Sequence, residues 1–452
     1  MKHSIPVSES SSTAGQSTAW RTAFLLSVGY MFSFVDRQML AVLVEPVQAD
    51  LLITDTQFGL LHGLAFALFF ALAGLPTGWL CDRFPRNRII AGGVAIWSLS
   101  TAACGLASDF SSLFICRMGV GIGEAALAPC AYSLLSDLFK KQSLGRAIGV
   151  FSMGAQVGVA IAFFSSSLLL AWLGSITMLG DLGLAPWQLV FVVIGMAGLP
   201  LAVVILFFVP EPRDSISTVT GAPGAQISGV FAQAFLEPLV CLKQSWRVYL
   251  PLFLGYSLFA MATFGFIAWM PAFFLRVLDY SQQSMGIVAG LLVLLFCPAG
   301  LVAAGWFVDW LDKRGYQDAA MRAGVIGAML MLVSVVMLAL SLGSGLIYVA
   351  LATTLFLAPF PMTSGSVALQ LATPSEFRGR ISAIFLLVVA LISQTLGPLN
   401  VALLSDNVFT DPAELGYSIA LTSSVSLALA VVVLWSGMRS YSSHTTKLDQ
   451  KR

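Results

Sequence analysis

Twelve long stretches of mostly apolar residues divide this sequence, with shorter polar segments between them. A bilayer core is about 30 Å thick, so a helix needs about 20 apolar residues to cross it. Helices also satisfy their own backbone hydrogen bonds inside lipid. The sequence therefore predicts an all-α membrane protein with 12 transmembrane helices. The predicted spans are 20–45, 56–79, 88–107, 111–136, 144–173, 187–209, 246–275, 282–308, 321–342, 345–371, 378–405 and 415–438.

The composition agrees with lipid exposure and excludes several classes of protein. Hydrophobic residues make up 58% of the 452 residues and charged residues only 10%, whereas about 25% of the residues of a soluble domain are charged. The net charge of +1 provides no basic field for a nucleic-acid partner. The six cysteines and three histidines show no metal-ligand spacing, so we expect neither an enzyme nor a bound cofactor or metal.

The chain divides into two sets of six spans joined by a long polar connector. We predict an N-terminal tail (1–19), an N-terminal bundle (20–210), a central loop (211–245), a C-terminal bundle (246–439) and a C-terminal tail (440–452).

The distribution of basic residues predicts the orientation of the chain in the membrane. All but three of the 23 Lys and Arg residues fall in the tails, in the loops on one side or at adjoining helix ends, the exceptions being Arg37, Arg117 and Arg276. This pattern predicts that both termini and the central loop are cytoplasmic. The short polar loops favour the inner membrane of a bacterium, and we expect a monomer.

Two sequence motifs recur six spans later in the chain. The stretch Gly78–Asp82 follows the second span and Gly305–Asp309 follows the eighth; both begin with Gly-Trp, end in Asp and precede basic residues. A second pair, 145–151 and 379–385, shares Gly-Arg followed by Phe. Recurrence in the same register predicts two pseudo-symmetric bundles of parallel origin.

The first copy of the repeated motif resembles the loop signature of the major facilitator superfamily, G-x-x-x-D-R-x-G-R-R/K. Here Pro85 replaces the usual glycine and Asn87 interrupts the basic run. The resemblance implies two six-helix bundles around a central cavity, with charges that hold the cytoplasmic side closed in one state and release it in another. Alternatively, these charges only anchor the topology. The candidate gate residues are Gly78, Asp82, Arg83, Arg86, Arg88, Gly305 and Asp309.

Four charged residues lie inside predicted spans, Asp36 and Arg37 in the first and Arg117 and Glu124 in the fourth. Each costs about 2.5–3.5 kcal/mol at a helix centre, so such residues persist where they pair or line a water-filled path. Arg117 and Glu124 share one helical face because they are two turns apart.

The fourth span (Arg117–Ala125, then Pro129 and Ser133–Phe139) and the Asp36-Arg37 pair are similar to those of the Spinster branch of this superfamily. Spinster proteins are implicated in exporting lysolipids and sphingoid phosphates. The resemblance implies that Asp36 and Glu124 carry protons, the coupling ion. It also implies that Arg37, with Arg117 as a second charge partner, engages an acid or an anionic substrate group.

Other polar residues are candidates for the wall of the cavity. His62 either joins a proton relay or makes a helix contact, and Gln156 either contacts substrate or a neighbouring helix. The C-terminal half is rich in phenylalanine and has no acid at mid-depth, so it either holds an acyl tail or packs against lipid and core. The candidates are His62, Gln156, Tyr256, Thr263, Gln370, Gln394 and Asn400.

Three functional hypotheses follow from these features. The leading one is a proton-coupled secondary active transporter that moves an amphipathic anion, such as a lysophospholipid or sphingoid phosphate, by alternating access. The second is the same mechanism with a small organic anion or drug as substrate. The third is a sensor or scaffold that no longer transports, against which the intramembrane charges argue. The expected partners are the substrate, protons and the lipid bilayer.

Overall fold

The computed structural model describes residues 10–176, 183–212, 239–340, 345–374 and 377–449, and throughout these ranges the regular structure is helical. The N-terminal half contains α1 (Ser10–Val42), α2 (Val44–Leu51), α3 (Asp55–His62), α4 (Leu64–Arg83), α5 (Arg86–Cys104), α6 (Phe110–Glu124), α7 (Leu127–Leu138), α8 (Lys141–Gly174) and α9 (Pro186–Phe208). The C-terminal half contains α10 (Trp246–Arg276), α11 (Gln282–Lys313), α12 (Ala319–Leu340), α13 (Leu346–Leu357), α14 (Phe360–Ala372), α15 (Arg378–Asn407) and α16 (Leu415–Asp449).

The helices account for the twelve predicted spans. Ten helical segments in the described ranges are long and apolar enough to cross a membrane. The other two spans, α1 and α5, have 33 and 19 residues but are more polar, because α1 carries Asp36 and Arg37 and α5 carries Arg86 and Arg88. The predicted fold class, two six-helix bundles of a membrane protein, is confirmed.

Some helix ends differ from the predicted boundaries. Helix α1 begins at Ser10 and α16 ends at Asp449, so helix extends into both segments predicted as tails. Most of the predicted central loop, 213–238, lies outside the described residues.

At the start of α6, the Asp109 carboxylate accepts a hydrogen bond from the main-chain N–H of Ser112 at 2.9 Å. That bond to the charged form lowers the pKa of Asp109 below its ordinary value.

Three spans are interrupted in the middle. The second breaks at Gly63, between α3 and α4, and the fourth breaks between α6 and α7. The tenth breaks between α13 and α14, where Pro359 removes a backbone donor. At Gly63 a side chain is excluded by packing, because a Cβ would lie 2.6 Å from the carbonyl oxygen of Gln394 on α15.

The largest hydrophobic core of the described residues continues from the N-terminal half into the C-terminal half, and two smaller cores lie within the C-terminal half. In the N-terminal half α1 packs on α8 and α5 packs on α9; in the C-terminal half α10 packs on α15 and α16. The most extensive contacts between halves are α8 with α11 and α3–α4 with α15. We call the side on which α1 begins and α16 ends the termini face, and the opposite side the distal face. The prediction from basic residues places the distal face outside the cell.

The contact between α8 and α11 is close because it uses small residues near the distal face. A Cβ on Gly286 of α11 would lie 2.3 Å from the Cβ of Ser167 on α8, and one on Gly290 would lie 2.9 Å from the ring of Phe164. Small residues at helix contacts let backbones approach in membranes. The two halves are therefore tightly joined on the distal side.

Candidate functional site

The four intramembrane charges predicted from the sequence lie together at the middle of the N-terminal half. Asp36 is 2% exposed, Arg117 is 1% exposed and Glu124 is 2% exposed. The Thr101 hydroxyl of α5 donates to Asp36 Oδ2 at 3.2 Å. Arg117 Nη1 donates to the main-chain oxygen of Asp36 at 3.4 Å. Helices α1, α5 and α6 thus build one half of the charged site.

The other half of the site is an ion pair between α1 and α6. Arg37 Nε lies 2.6 Å from Glu124 Oε2, which also accepts from the Ser33 hydroxyl at 2.6 Å. The guanidinium carbon of Arg37 is 4.9, 4.5 and 4.9 Å from the ring centroids of Phe34, Phe66 and Phe70, respectively. Arg37 is therefore held by a carboxylate and by cation–π contacts on several sides.

Several polar atoms of this site have no hydrogen-bond partner among the residues that the structure describes. They include Asp36 Oδ1, Glu124 Oε1 and Arg117 Nε. A buried polar atom without a partner costs about 1–3 kcal/mol, and more when the group is charged. Unpaired atoms of this kind mark places where a proton, a water or a ligand can bind.

A cavity of about 20 Å³ lies beside these charges, at the junction of the two halves. Its N-terminal wall includes Arg37 and Arg117, and its C-terminal wall comes from α10 and α15. The lining residues are Phe34, Arg37, Gln38, His62, Phe66, Arg117, Phe264, Gln394 and Pro398. The structure therefore brings His62 and Gln394, two predicted cavity residues, next to the predicted charges.

The other predicted cavity residues lie elsewhere. The Tyr256 hydroxyl is buried within the C-terminal half and donates to the Ala320 carbonyl at 3.0 Å. Thr263 is buried, with its hydroxyl 3.4 Å from the Phe259 carbonyl oxygen. Gln370 is exposed and donates to Ser382.

Asn400 and Gln156 are the remaining candidates for the cavity wall. Asn400 lies 3.9 Å from the sulfur of Met261, and Gln156 is half-buried on α8. Their contact with a substrate stays a prediction.

The loop motif contains one buried ion cluster within the N-terminal half. Arg86 is fully buried, and its guanidinium bonds Asp137 of α7 at 2.6 Å and Glu211, just after α9, at 2.5 Å. This cluster ties α5, α7 and α9 together at the termini face. The sequence did not identify Asp137 or Glu211 as partners, because neither belongs to the motif.

The remaining motif residues are mostly exposed. Arg83 stacks on Trp79 at 4.4 Å, and Arg88 and Asp309 are exposed. A Cβ on Gly78 or Gly305 would have no atom within 4 Å. The side chain of Asp82 lies outside the described residues, so its part in the gate stays a prediction.

A second charge cluster, at the distal face, joins the two halves and was not predicted. Arg276 at the end of α10 bonds Glu45 at 2.6 Å and Asp55 at 2.8 and 3.0 Å. Gln48 and Ser405 add hydrogen bonds to Asp55. The Asp406 carboxylate of α15 accepts from the first N–H groups of α3, at 3.3 Å for Asp55 and 2.7 Å for Thr56. We give the name distal latch to six of these residues, Glu45, Gln48, Asp55, Arg276, Ser405 and Asp406.

The sequence contained one signal for these clusters. The three basic residues that break the positive-inside pattern are Arg37, Arg117 and Arg276, and each lies in a charged site that contacts the junction of the halves. A basic residue retained on the unfavourable side of the membrane points to a buried partner.

Two membrane-spanning helix bundles with ionisable residues buried where they meet form the architecture of a secondary transporter. More specifically, the chain belongs to the Major Facilitator Superfamily, whose family model matches residues 26–398. The prediction that the chain is not an enzyme is thereby confirmed, since the family consists of transporters.

The chain is similar to named transporters and to a solved structure. It is 27% identical over 309 residues to a probable L-galactonate transporter of Escherichia coli (strain K12), covering 66% of this chain and 63% of that protein. It is 27% identical over 440 residues to a probable galactarate/D-glucarate transporter of Bacillus subtilis (strain 168), covering 93% and 90%.

The solved structure confirms the predicted likeness to Spinster at the level of the fold. A bacterial homologue of the human lysosomal transporter Spinster, in an inward-facing and unoccupied conformation, superposes with a TM-score of 0.75 at 24% identity. The superposition covers 96% of this chain and 98% of that one.

Proposed function

We propose that this protein is a proton-coupled transporter of a small organic anion. The observation that carries the proposal is Arg117, a buried cation in the wall of the cavity between the halves whose Nε has no partner in the described part of the chain. A buried guanidinium presents donors in the fork geometry that fits a carboxylate. A substrate carboxylate would supply the acceptor that this site lacks.

The charge balance of the site supports coupling to protons. Asp36, Arg37, Arg117 and Glu124 sum to zero when all four are ionised. Protonation of one carboxylate leaves one positive charge, which an anionic substrate neutralises. Closing the cavity on an unpaired charge is costly, so closure is favoured with both proton and anion bound, or with neither. Each ligand then strengthens binding of the other, which is the requirement for symport.

The relatives support a small anion over a lipid as the substrate. The two curated relatives described above are named as transporters of galactonate and of galactarate or glucarate. The cavity of about 20 Å³ also has polar residues on both of its walls, Gln38 and His62 on one side and Gln394 on the other. A lysophospholipid or sphingoid phosphate therefore becomes the second candidate.

Transport by purified protein in proteoliposomes tests the proposal. The substrates are labelled hexuronate, aldonate, nicotinate and lysophospholipid, each with and without an imposed pH gradient. We expect one or more small anions to accumulate against their gradient, and a protonophore to abolish accumulation. Movement of the lysophospholipid alone, or anion uptake that ignores the pH gradient, would contradict the proposal.

Two variants locate the coupling step. Asp36→Asn and Glu124→Gln remove the titratable groups while keeping size, so we expect substrate exchange to continue and gradient-driven accumulation to be lost. Asp312→Asn, at an exposed acid of α11, is the matched control and should accumulate substrate normally. Full accumulation by both site variants would reject their role in carrying protons.

A further inference from the structure

Two side-chain amides and one imidazole line the cavity, and none of them yet has an assigned role. Gln38 on α1 is 5% exposed, and its Oε1 has no hydrogen-bond partner among the described residues. His62 at the end of α3 has a buried Nε2 that also lacks a partner there. Gln394 reaches the same cavity from α15, in the other half of the molecule.

These side chains differ in whether they donate or accept hydrogen bonds. The Gln38 oxygen accepts hydrogen bonds, a neutral imidazole nitrogen donates or accepts, and the Gln394 amide donates through its nitrogen and accepts through its oxygen. Together they offer both donors and acceptors around one small space. A hydroxyl group both donates and accepts, so it satisfies this set, whereas a methylene group leaves the Gln38 oxygen and the His62 nitrogen unpaired.

The size of the space sets how much of a substrate enters it. The cavity measures about 20 Å³, which is room for one water-sized group. A single hydroxyl fits such a space in this conformation, and the rest of a substrate enters only when the halves separate around it. Arg117 lines the same cavity, so a hydroxyl in this space would lie close to a carboxylate bound at Arg117.

We infer that Gln38, His62 and Gln394 form a hydroxyl-recognition pocket, and that the transported anion is a hydroxy acid whose hydroxyl lies within one or two carbons of its carboxylate. This inference rests on the proposed function, because it places the carboxylate at Arg117. The pocket selects among small anions by leaving its own polar groups unpaired when the hydroxyl is absent. It also spans both halves, so hydroxyl binding draws α15 toward α1 and α3.

Competition with matched pairs of acids tests the inference on the unaltered protein. The inhibition constants of D-gluconate and 2-deoxy-D-gluconate, and of glycolate and acetate, are measured against transport of the best labelled anion. We expect each hydroxy acid to bind about 10- to 100-fold more tightly than its deoxy partner, because the deoxy acid strands buried polar groups. Equal constants within each pair would overturn the inference while leaving the proposed function standing.

Variants then assign the selectivity to the pocket. Gln38→Met and Gln394→Met keep side-chain length but remove the amide, so we expect the hydroxy-to-deoxy ratio to fall toward one while deoxy acids bind as before. Gln283→Met, at an exposed position of α11, is the matched control and should keep the wild-type ratio. A ratio that survives both pocket variants would overturn the assignment.

Two failures can be told apart in these experiments. If no organic anion is transported or competes, the proposed function fails and the pocket inference falls with it. If anions compete and the hydroxyl makes no difference, the inference alone is wrong and the pocket holds a water. Because the readout is a ratio between two ligands on the same preparation, partial misfolding of a variant does not imitate the expected result.

Discussion

Arg37 and Arg117 lie in one buried site but are held by different kinds of partner. Arg37 is bound by the Glu124 carboxylate at 2.6 Å and surrounded by three phenyl rings. Arg117 has a main-chain carbonyl at 3.4 Å and an unpaired Nε. The guanidinium with fewer protein contacts is the one better able to exchange a contact for a ligand, so under the proposed function Arg117 rather than Arg37 binds the substrate anion.

Arg86 shows how much a single buried cation contributes to the N-terminal half. Arg86→Gln removes the cation that Asp137 and Glu211 share. We expect the free energy of unfolding to fall by about 3–5 kcal/mol, as for other broken buried ion pairs. Thermal unfolding in detergent measures the change. Arg88→Gln, two residues away and exposed, should change stability by less than about 0.5 kcal/mol; equal losses for the two variants would contradict the structural role of Arg86.

At the scale of helices, the close approach of α8 and α11 depends on the missing side chain of Gly286. Gly286→Ala places a methyl group 2.3 Å from the Ser167 Cβ, so the helices must separate at the distal side. We expect slower transport and an unfolding free energy lower by about 1–3 kcal/mol, the usual cost of overpacking. Substrate counterflow and thermal unfolding measure the two effects.

Two further variants isolate the contact. Gly149→Ala lies in α8, the other helix of this contact, with no atom within 4 Å of the new methyl, and should behave as wild type. Ser167→Gly combined with Gly286→Ala removes the side chain that the methyl meets and should recover part of the loss, although the Phe163 carbonyl still lies 2.6 Å away. If the two alanine variants are indistinguishable, close packing of α8 on α11 has no role in the cycle.

The helices could be predicted from the sequence because each span carries its own signal, a run of apolar residues of bilayer length. The charged site could be predicted because four ionisable residues in apolar helices are unusual, as at Asp36 and Glu124. The break between α6 and α7 has a local cause in Pro129, which has no N–H to donate to the Ala125 carbonyl four residues earlier. The run of apolar residues did not mark the break, because a proline also occurs inside membrane helices that continue, as Pro76 does in α4.

Contacts between distant residues were beyond prediction, because a single sequence does not show how helices pack. Arg276 and Asp55 are 221 positions apart, and each alone reads as a charge at a helix end. Likewise, Arg86 was identified from its motif but its partner Glu211 was not. Ion pairing between distant residues depends on how the two halves and their helices are placed in space. Local composition and periodicity therefore do not predict which residues pair.

At the scale of the whole molecule, the distal latch joins the N-terminal half to the C-terminal half through charge. Arg276 from α10 binds Asp55 with two nitrogens, while Asp406 from α15 accepts from N–H groups at the start of α3. A carboxylate at a helix N-terminus is favoured by the exposed N–H groups and the helix dipole. Opening the distal face must separate both contacts, so the latch favours the state in which that face is closed.

Breaking the latch should therefore shift the molecule toward a form that is open on the distal face. Arg276→Gln leaves the Asp55 carboxylate without its cation, which destabilises the closed form by about 3–5 kcal/mol. Since about 1.4 kcal/mol is a tenfold change in an equilibrium, the open form should become substantially populated. Spin labels at Ser111→Cys and Gln283→Cys, exposed positions on the distal ends of the two halves, report the distance between halves when native cysteines are replaced by alanine.

We expect a longer distance between these labels in Arg276→Gln than in the unaltered latch. Arg322→Gln is the matched control and should leave the distance distribution unchanged. Arg322 lies in α12 and pairs with Asp318, the residue just before that helix, so this ion pair stays within one half. Asp55→Asn added to Arg276→Gln removes the stranded charge and should return part of the population to the short distance, as a double-mutant cycle requires. A distribution that stays short in Arg276→Gln would show that helix packing, such as that of Gly286 on Ser167, closes the distal face without help from the latch.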